Sequence, residues 1–284
     1  ARGTGHQSAG RRPEVMDPAT LAEARRWGID QLAETSPSAA IDTDCLLAAA
    51  TGLEPVQLRA WPEASIEPAA WQRFRTTLQR RRDGEPVAYL LGRRGFMDFE
   101  LAVTPSVLIP RPETEHLVEA ALAQPADRVL ELGTGSGCIA IALARAWPSA
   151  RIDAVDRSSD ALAVASRNAE ALGAGSIRFL AGDWYAPIAD TRYGLIVANP
   201  PYIADDEPEP DRDDARFEPR GALRAGATGL EALELIIAAA PRHLDPGGRI
   251  WLEHGYGQGA AVRGRLAEQG FTAIETRRDL AGHE

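Results

Sequence analysis

Asn199-Pro200-Pro201-Tyr202 is the stretch of this sequence whose residue types carry the most chemistry. Two prolines fix the backbone and remove two N–H donors. The tetrapeptide is left to present acceptors, namely backbone carbonyls and the side-chain oxygen of Asn199. A planar NH₂ group has donors to give them, and the ring of Tyr202 offers a flat face for stacking it. Such a nitrogen is a poor nucleophile, because its lone pair is delocalised. Gripping both N–H bonds biases it toward pyramidal geometry and aims the lone pair at an electrophile. Orienting two reactants in this way contributes ~7–11 kcal/mol, and fixed dipoles facing the developing charge add to it. No acid or base of unusual pKa is demanded. The plain alternative is a proline-rich loop that only ends a strand.

Neighbouring strand ends decide against that alternative. Glu131-Leu132-Gly133-Thr134-Gly135-Ser136-Gly137 lies between a short apolar strand, Arg128–Leu132, and a helical stretch, Ile139–Ala146. Its glycines let backbone pass close to a ligand, at the carboxyl end of a parallel strand where open α/β sheets bind ligands. The dinucleotide fingerprint G-x-G-x-x-G fits less well: the third glycine comes one residue early and Cys138 holds its place. Asp156 ends the next strand, where a carboxylate can accept both ribose hydroxyls of an adenosine. Gly182-Asp183-Trp184 follows the third strand. Trp184 offers a flat edge for adenine and Asp183 an acceptor for its amino group; the plainer reading of Trp184 is core packing. An adenosine-bearing electrophile facing a gripped NH₂ points to S-adenosylmethionine as cofactor, with S-adenosylhomocysteine as product.

The elements that must position these residues alternate from Ala126 onward. Strands are expected at Arg128–Leu132, Arg151–Asp156, Ser176–Leu180, Tyr193–Ala198, Gly248–His254 and Phe271–Glu275. Helices are expected at Ile139–Ala146, Asp160–Leu172, Leu230–His243 and Gln258–Gln269. This rhythm predicts an α/β fold with a mostly parallel sheet covered on both faces. Residues 16–82 read as a bundle of four or five helices, with apolar stripes such as Trp71, Phe74 and Leu78. Pro18 suits a first helical turn, and Gly52 stops the second helix. Residues 83–110 read as a β-hairpin linker, with Val87, Tyr89 and Leu91 alternating. Arg111–Glu115 opens a helix with acids in its first turn. The expected division is a flexible tail at 1–15, a helical substrate-docking domain at 16–82, the linker at 83–110 and the cofactor domain at 111–284.

Composition sets the outer limits. The net charge is −10, and all the basic side chains other than histidine are arginines. An acidic chain lacks the broad basic footprint of a duplex-binding enzyme; a local anionic contact would be sought at Arg80, Arg81, Arg82, Arg93 and Arg94. Cys45 and Cys138 are too far apart for a C-x-x-C site and read as structural thiols. No metal is expected. No apolar run reaches the ~18 residues of a membrane span, and no leader pattern opens the chain. A cytoplasmic monomer with no membrane contact is the expectation.

Six motifs in order resemble the release-factor glutamine methyltransferases (HemK/PrmC family). They are Arg81-Arg-Asp-Gly-Glu-Pro-Val-Ala-Tyr, Leu108-Ile-Pro-Arg-Pro-Glu-Thr-Glu, Glu131-Leu-Gly-Thr-Gly-Ser-Gly, Asn199-Pro-Pro-Tyr-Ile, Arg216-Phe-Glu-Pro and Leu252-Glu-His-Gly. The resemblance runs from about residue 20 to residue 284. It implies a Rossmann-like class I methyltransferase domain with a seven-stranded sheet, an N-terminal helical domain and a hairpin linker. It implies methylation of the glutamine in the Gly-Gly-Gln motif of class-1 peptide chain release factors. By position it implies that Gly133 to Gly137, Asp156, Trp184 and Asn199 contact S-adenosylmethionine. Asn199 to Tyr202 would hold the substrate glutamine, and Ile109–Glu115 would help exclude other substrates. The family carries a further strand after the segment matching Arg278-Asp279, whereas this sequence stops at Glu284; a sheet without that strand, or a trimmed chain, is the expectation. Two other readings stay open: an adenine or cytosine amino-methyltransferase of nucleic acid, which would need base flipping and basic surface, and a cofactor-binding regulator without catalysis.

Overall fold

A computed structural model describes residues 18–208, 215–278, 282 and 284. The chain divides into two compact units, Ala1–Leu90 and Leu91–Glu284. The tail read over residues 1–15 lies outside the described residues.

The first unit contains α1 (Leu21–Leu32), α2 (Ala39–Thr51), α3 (Pro55–Ala60) and α4 (Pro68–Arg82). Helix α1 starts at Leu21 rather than at Pro18. Thr20 and Glu23 form a capping box that satisfies the first backbone donors there. Gly52 ends α2 with φ of 73°, as a left-handed terminator should. Trp27, Trp71 and Phe74 meet in edge-on and tilted pairs. A buried ion pair joins α4 to α2: Arg81 donates to Asp42 at 2.7 Å, and Asp42 also accepts from Ser36 and Ser38. Arg81 therefore drops out of the proposed arginine surface, and Arg80 is paired with Glu85.

The alternation at Val87, Tyr89 and Leu91 does not make a strand. Val87–Leu91 is a short helix, α5. Ala88 and Tyr89 are both buried, which period-two alternation forbids, and the carbonyl of Pro86 accepts from Tyr89 and Leu90 as a first helical turn. The hairpin is shorter than expected: β1 (Arg93–Phe96) and β2 (Phe99–Ala102) pair antiparallel across a two-residue turn. Met97 in that turn has φ of 52°, and its N–H is held by Glu115.

The rest of the second unit is α6 (Pro112–Leu122), β3 (Arg128–Leu132), α7 (Cys138–Ala146), β4 (Arg151–Asp156), α8 (Ser159–Ala171), β5 (Arg178–Ala181), β6 (Tyr193–Ala198), α9 (Arg220–Leu223), α10 (Glu231–His243), β7 (Leu244–Leu252) and α11 (Gly259–Glu268). The strands form one parallel sheet in the order β5-β4-β3-β6-β7. Val129 and Leu195 pack with α6, α7 and α8 on one face. Leu130, Val155 and Ile196 pack with α10 on the other. The order reverses at β3, which places the crevice for a ligand at its carboxyl end. The expected strand at Phe271–Glu275 is absent. A strand needs a neighbour for its backbone groups, and no described segment pairs with this one. The described sheet thus has five strands. No described helix is long and apolar enough to cross a membrane.

Candidate active site

A cavity of about 310 Å³ opens at the carboxyl ends of the central strands. Of the residues singled out in the sequence, Gly133, Thr134, Gly135 and Ser136 line it, with Asp156, Asp183, Trp184, Asn199 and Pro201. Gly137, Pro200 and Tyr202 are not among its lining residues. Gly137 begins α7 with φ of 84°, and a Cβ there would press on Ala165 and Ile141 at 3.1 Å. Its hydrogen atom serves helix packing. Pro200 is buried.

The glycine turn is held from both sides. Gly133 and Thr134 donate to the carbonyl of Val155 at 2.8 and 3.0 Å. Asp156 accepts from the Gly135 N–H through one oxygen and from the Ser158 N–H through the other, each at 2.9 Å. A carboxylate has about four acceptor positions, so two remain. Asn168 on α8 donates to the carbonyls of Ser136 and Ala102, tying the turn to the hairpin. Trp184 has φ of 44°, and its ring would lie 3.7 Å from a Cβ on Gly133.

Glu131 sits inside the turn. Its Oε2 accepts from the Thr134 hydroxyl at 2.6 Å and from the Ala140 N–H at 3.1 Å. Its Oε1 is buried without a hydrogen-bond partner. Burial pushes its pKa up to about 8, and the charge of Asp156 adds to this. A buried carboxylate with an orphaned oxygen beside a cavity favours a cationic guest there. S-adenosylmethionine, with its sulfonium and ammonium, is of that kind.

The Asn199 end is organised from three elements. Thr114, in the first turn of α6, accepts from Asn199 Nδ2 at 3.0 Å and donates to Glu253 Oε2 at 2.8 Å. Glu253 follows β7, and its N–H donates to the carbonyl of Ala198, which sets it beside Asn199. Burial raises the Glu253 pKa to about 7, assisted by the charge of Glu113 and opposed by hydrogen bonds from Thr114, Tyr202 and Asn199. The Tyr202 hydroxyl lies 3.5 Å from Glu253 Oε1. The Tyr202 carbonyl accepts from Gln258 Nε2 at 2.9 Å. Gly229, with φ of 75°, passes so close beneath that carbonyl that a Cβ would sit 2.5 Å from it.

Arg216-Phe217-Glu218-Pro219 acts at a distance. Buried Glu218 accepts from the Ile109 N–H at 3.0 Å and pairs with Arg111. It thereby fixes the segment whose Leu108, Pro110 and Arg111 line the cavity. Sequence reasoning assigned no separate role to Glu131, Thr114, Glu218 or Glu253. The available signal was an acid inside or just after an apolar strand, where burial makes an unpaired carboxylate costly. Among the described residues no group of three His, Cys, Asp or Glu side chains could hold a metal ion.

Residues 23–92 match the PrmC N-terminal domain family, and residues 112–212 match the methyltransferase small domain family. A release factor glutamine methyltransferase of Pseudomonas aeruginosa is 48% identical over 252 residues, covering 88% of this chain and 91% of the relative. One of Bordetella pertussis is 52% identical over 235 residues, covering 80% and 87%. Among solved structures, a methyltransferase from Pyrococcus furiosus superposes with a TM-score of 0.51 at 15% identity, over 72% of this chain and 91% of that one.

Proposed function

The chain belongs to the release factor glutamine methyltransferase family, and we propose that it transfers a methyl group from S-adenosylmethionine to the side-chain amide nitrogen of the glutamine in the Gly-Gly-Gln motif of class-1 release factors. One observation carries the reading: Asn199, at the end of β6, opens onto the same cavity as the glycine turn and Asp156. The cofactor supplies an electrophilic methyl on a sulfonium.

The chain's own groups do the rest. Asp156 has two acceptor positions left for ribose hydroxyls, and Trp184 and Asp183 offer a flat edge and an acceptor to the base. The buried Glu131 carboxylate favours positive charge in the cavity beside it. Asn199 accepts a hydrogen bond from the incoming NH₂ and turns its lone pair toward the methyl. Bound S-adenosylmethionine would supply the methyl with its sulfur as the leaving group, and the amide nitrogen would give up one proton. Orientation provides most of the acceleration. The Leu108–Arg111 wall, braced by Glu218, limits what reaches Asn199. Helices α1–α4 carry no residue of this cavity, and their proposed task is to dock the protein substrate.

The test is direct. Labelled S-adenosylmethionine is incubated with the protein and a purified release factor, the same factor with Gln replaced by Asn in its Gly-Gly-Gln motif, total RNA, or DNA. Label is expected in the first alone, because one methylene fewer withdraws the nitrogen from Asn199. Label in nucleic acid instead would move the assignment to base amino groups.

A further inference from the structure

We infer that Glu253, acting through Thr114 and through its own hydrogen bond from Asn199, fixes which end of the Asn199 side-chain amide faces the cavity, so that Oδ1 and not Nδ2 meets the substrate NH₂. The inference rests on the methyl-transfer reading above and names a positioning device within it.

The number of protons available fixes the direction of each hydrogen bond. A threonine hydroxyl has one proton to donate and lone pairs with which to accept. Thr114 gives its proton to Glu253 Oε2 at 2.8 Å. Toward Asn199, 3.0 Å away, it is left only to accept, so the atom it meets must be the NH₂. The two ends of a carboxamide are nearly equal in size, and hydrogen bonds alone tell them apart. With Nδ2 committed to Thr114, Oδ1 is the end left for the cavity that Asn199 lines. That is the acceptor an incoming NH₂ requires.

Charge on Glu253 gives the chain its direction. A protonated carboxyl can donate to Thr114, Thr114 can then donate to Asn199 Oδ1, and Nδ2 is turned toward the substrate, donor against donor. An ionised carboxylate has no proton with which to start that reversed chain. The groups that face Glu253 are Glu113 and Thr114 from α6, Asn199 and Tyr202 from the β6 loop, and the Cys138 thiol of α7, whose own pKa is raised in part by the Glu253 charge. His254 follows it in the chain. Burial and Glu113 hold the Glu253 pKa up at about 7, so the direction of the chain is pH-dependent near neutrality.

The experiment compares wild type with Glu253→Gln, Thr114→Val and Thr114→Ser. It measures kcat and KM for the release factor, and Kd for S-adenosylmethionine, from about pH 5 to about pH 9. In wild type, kcat should show an acid limb with a midpoint at or below about 7. Glu253→Gln and Thr114→Val should each lose at least ~10-fold in kcat, the worth of one misdirected hydrogen bond, while cofactor Kd moves by less than ~3-fold. The acid limb should vanish in Glu253→Gln. Thr114→Ser keeps the relay hydroxyl and should recover most of what Thr114→Val loses. A readout independent of turnover is the Asn199 side-chain NH₂ resonance in the protein without cofactor. It should titrate with the Glu253 midpoint in wild type and stay flat in Glu253→Gln. Glu253→Gln should melt no lower than wild type above pH 8, because it replaces a carboxylate that burial penalises. Wild-type kcat and pH profile in Glu253→Gln, or an Asn199 resonance indifferent to both substitutions, overturns the inference. A wild-type protein that methylates no release factor overturns the methyl-transfer reading instead, and the Asn199 titration then decides the role of Glu253 alone.

Discussion

Replacing Glu131 by glutamine tests the electrostatics of the cofactor cavity. Glu131 is fully buried, its Oε1 has no partner, and its pKa stands at about 8. In the ligand-free protein at pH 7, about 0.9 of the molecules carry a proton there. A guest bearing sulfonium and ammonium charge favours the ionised form, so binding at that pH should release close to one proton per molecule. Affinity should then rise with pH up to about 8, by as much as ~10-fold or 1.4 kcal/mol per pH unit. Calorimetric titration in two buffers of different ionisation enthalpy reads the released proton directly. Glu131→Gln should remove most of the release and flatten the pH dependence of Kd, leaving the smaller share that Glu253 contributes. Stability of the ligand-free protein moves the other way. A raised carboxyl pKa favours the folded state fully below the unfolded value near 4.5, and that contribution is lost as pH rises through about 8. Wild type should therefore melt lower at pH 8.5 than at pH 5.5 by the Glu131 contribution, and Glu131→Gln should reduce the difference. A binding heat independent of buffer, or a proton release unchanged in Glu131→Gln, would refute the reasoning.

Three further outcomes are expected. Asp156→Ala should weaken S-adenosylmethionine binding at least ~10-fold by calorimetry, through lost ribose acceptors and a loosened Gly135; unchanged affinity rejects the assignment. Asn199→Ala should cut turnover by ~100-fold or more with little change in melting temperature, since a ~1 Å misplacement of reactants has that cost. Asn199→Asp should bind cofactor comparably and remain as impaired, because it cannot donate to Thr114 and sets a second carboxylate near Glu253; near-normal transfer by both would show the loop is not catalytic. Asp42→Ala removes the buried carboxylate that pairs with Arg81, leaving its contacts to Ser36 and the Glu85 carbonyl, and should destabilise the helical unit by roughly 3–5 kcal/mol in denaturant melts, whereas a shift under about 1 kcal/mol would mean the guanidinium is satisfied without Asp42.

What the sequence made legible follows from how locally each feature is encoded. The glycine turn, Asp156 and Asn199-Pro-Pro-Tyr are each contiguous with a strand whose apolar run is unmistakable, and all three reach the same cavity. Gly52 as a helix stop is encoded by one residue and one backbone angle. Val87–Leu91 failed because a five-residue apolar stretch has no room for either period to declare itself. Phe271–Glu275 failed because a strand is a relation between two segments, and alternation in one segment does not supply its partner. Tyr202 was read by what its ring offers in isolation. In the fold its hydroxyl is turned to Glu253 and its carbonyl to Gln258, so both polar ends hold the loop.

The less legible half of the site is the half that comes from sheet order. Motifs find residues that are neighbours in the chain, yet the residue proposed to direct Asn199 lies just past the next strand of the sheet. Because β7 pairs in parallel with β6, the first residue past β7 must fall beside the first residue past β6, and the Glu253 N–H meeting the Ala198 carbonyl is that juxtaposition. On the other side of the sheet's centre, β4 lies beside β3, so Asp156 falls beside the glycine turn and accepts from Gly135. The two outer acids differ in how much water they keep. Asp156 is half-buried, whereas burial drives Glu253 upward in pKa. A solvated carboxylate keeps acceptor positions open for ribose hydroxyls. A desolvated one gains a stronger field in its low-dielectric setting, and it spends that field on the orientation of one carboxamide. In the proposed reaction the chemistry of the amide nitrogen is thus set by which strand lies next to which, as much as by the tetrapeptide itself.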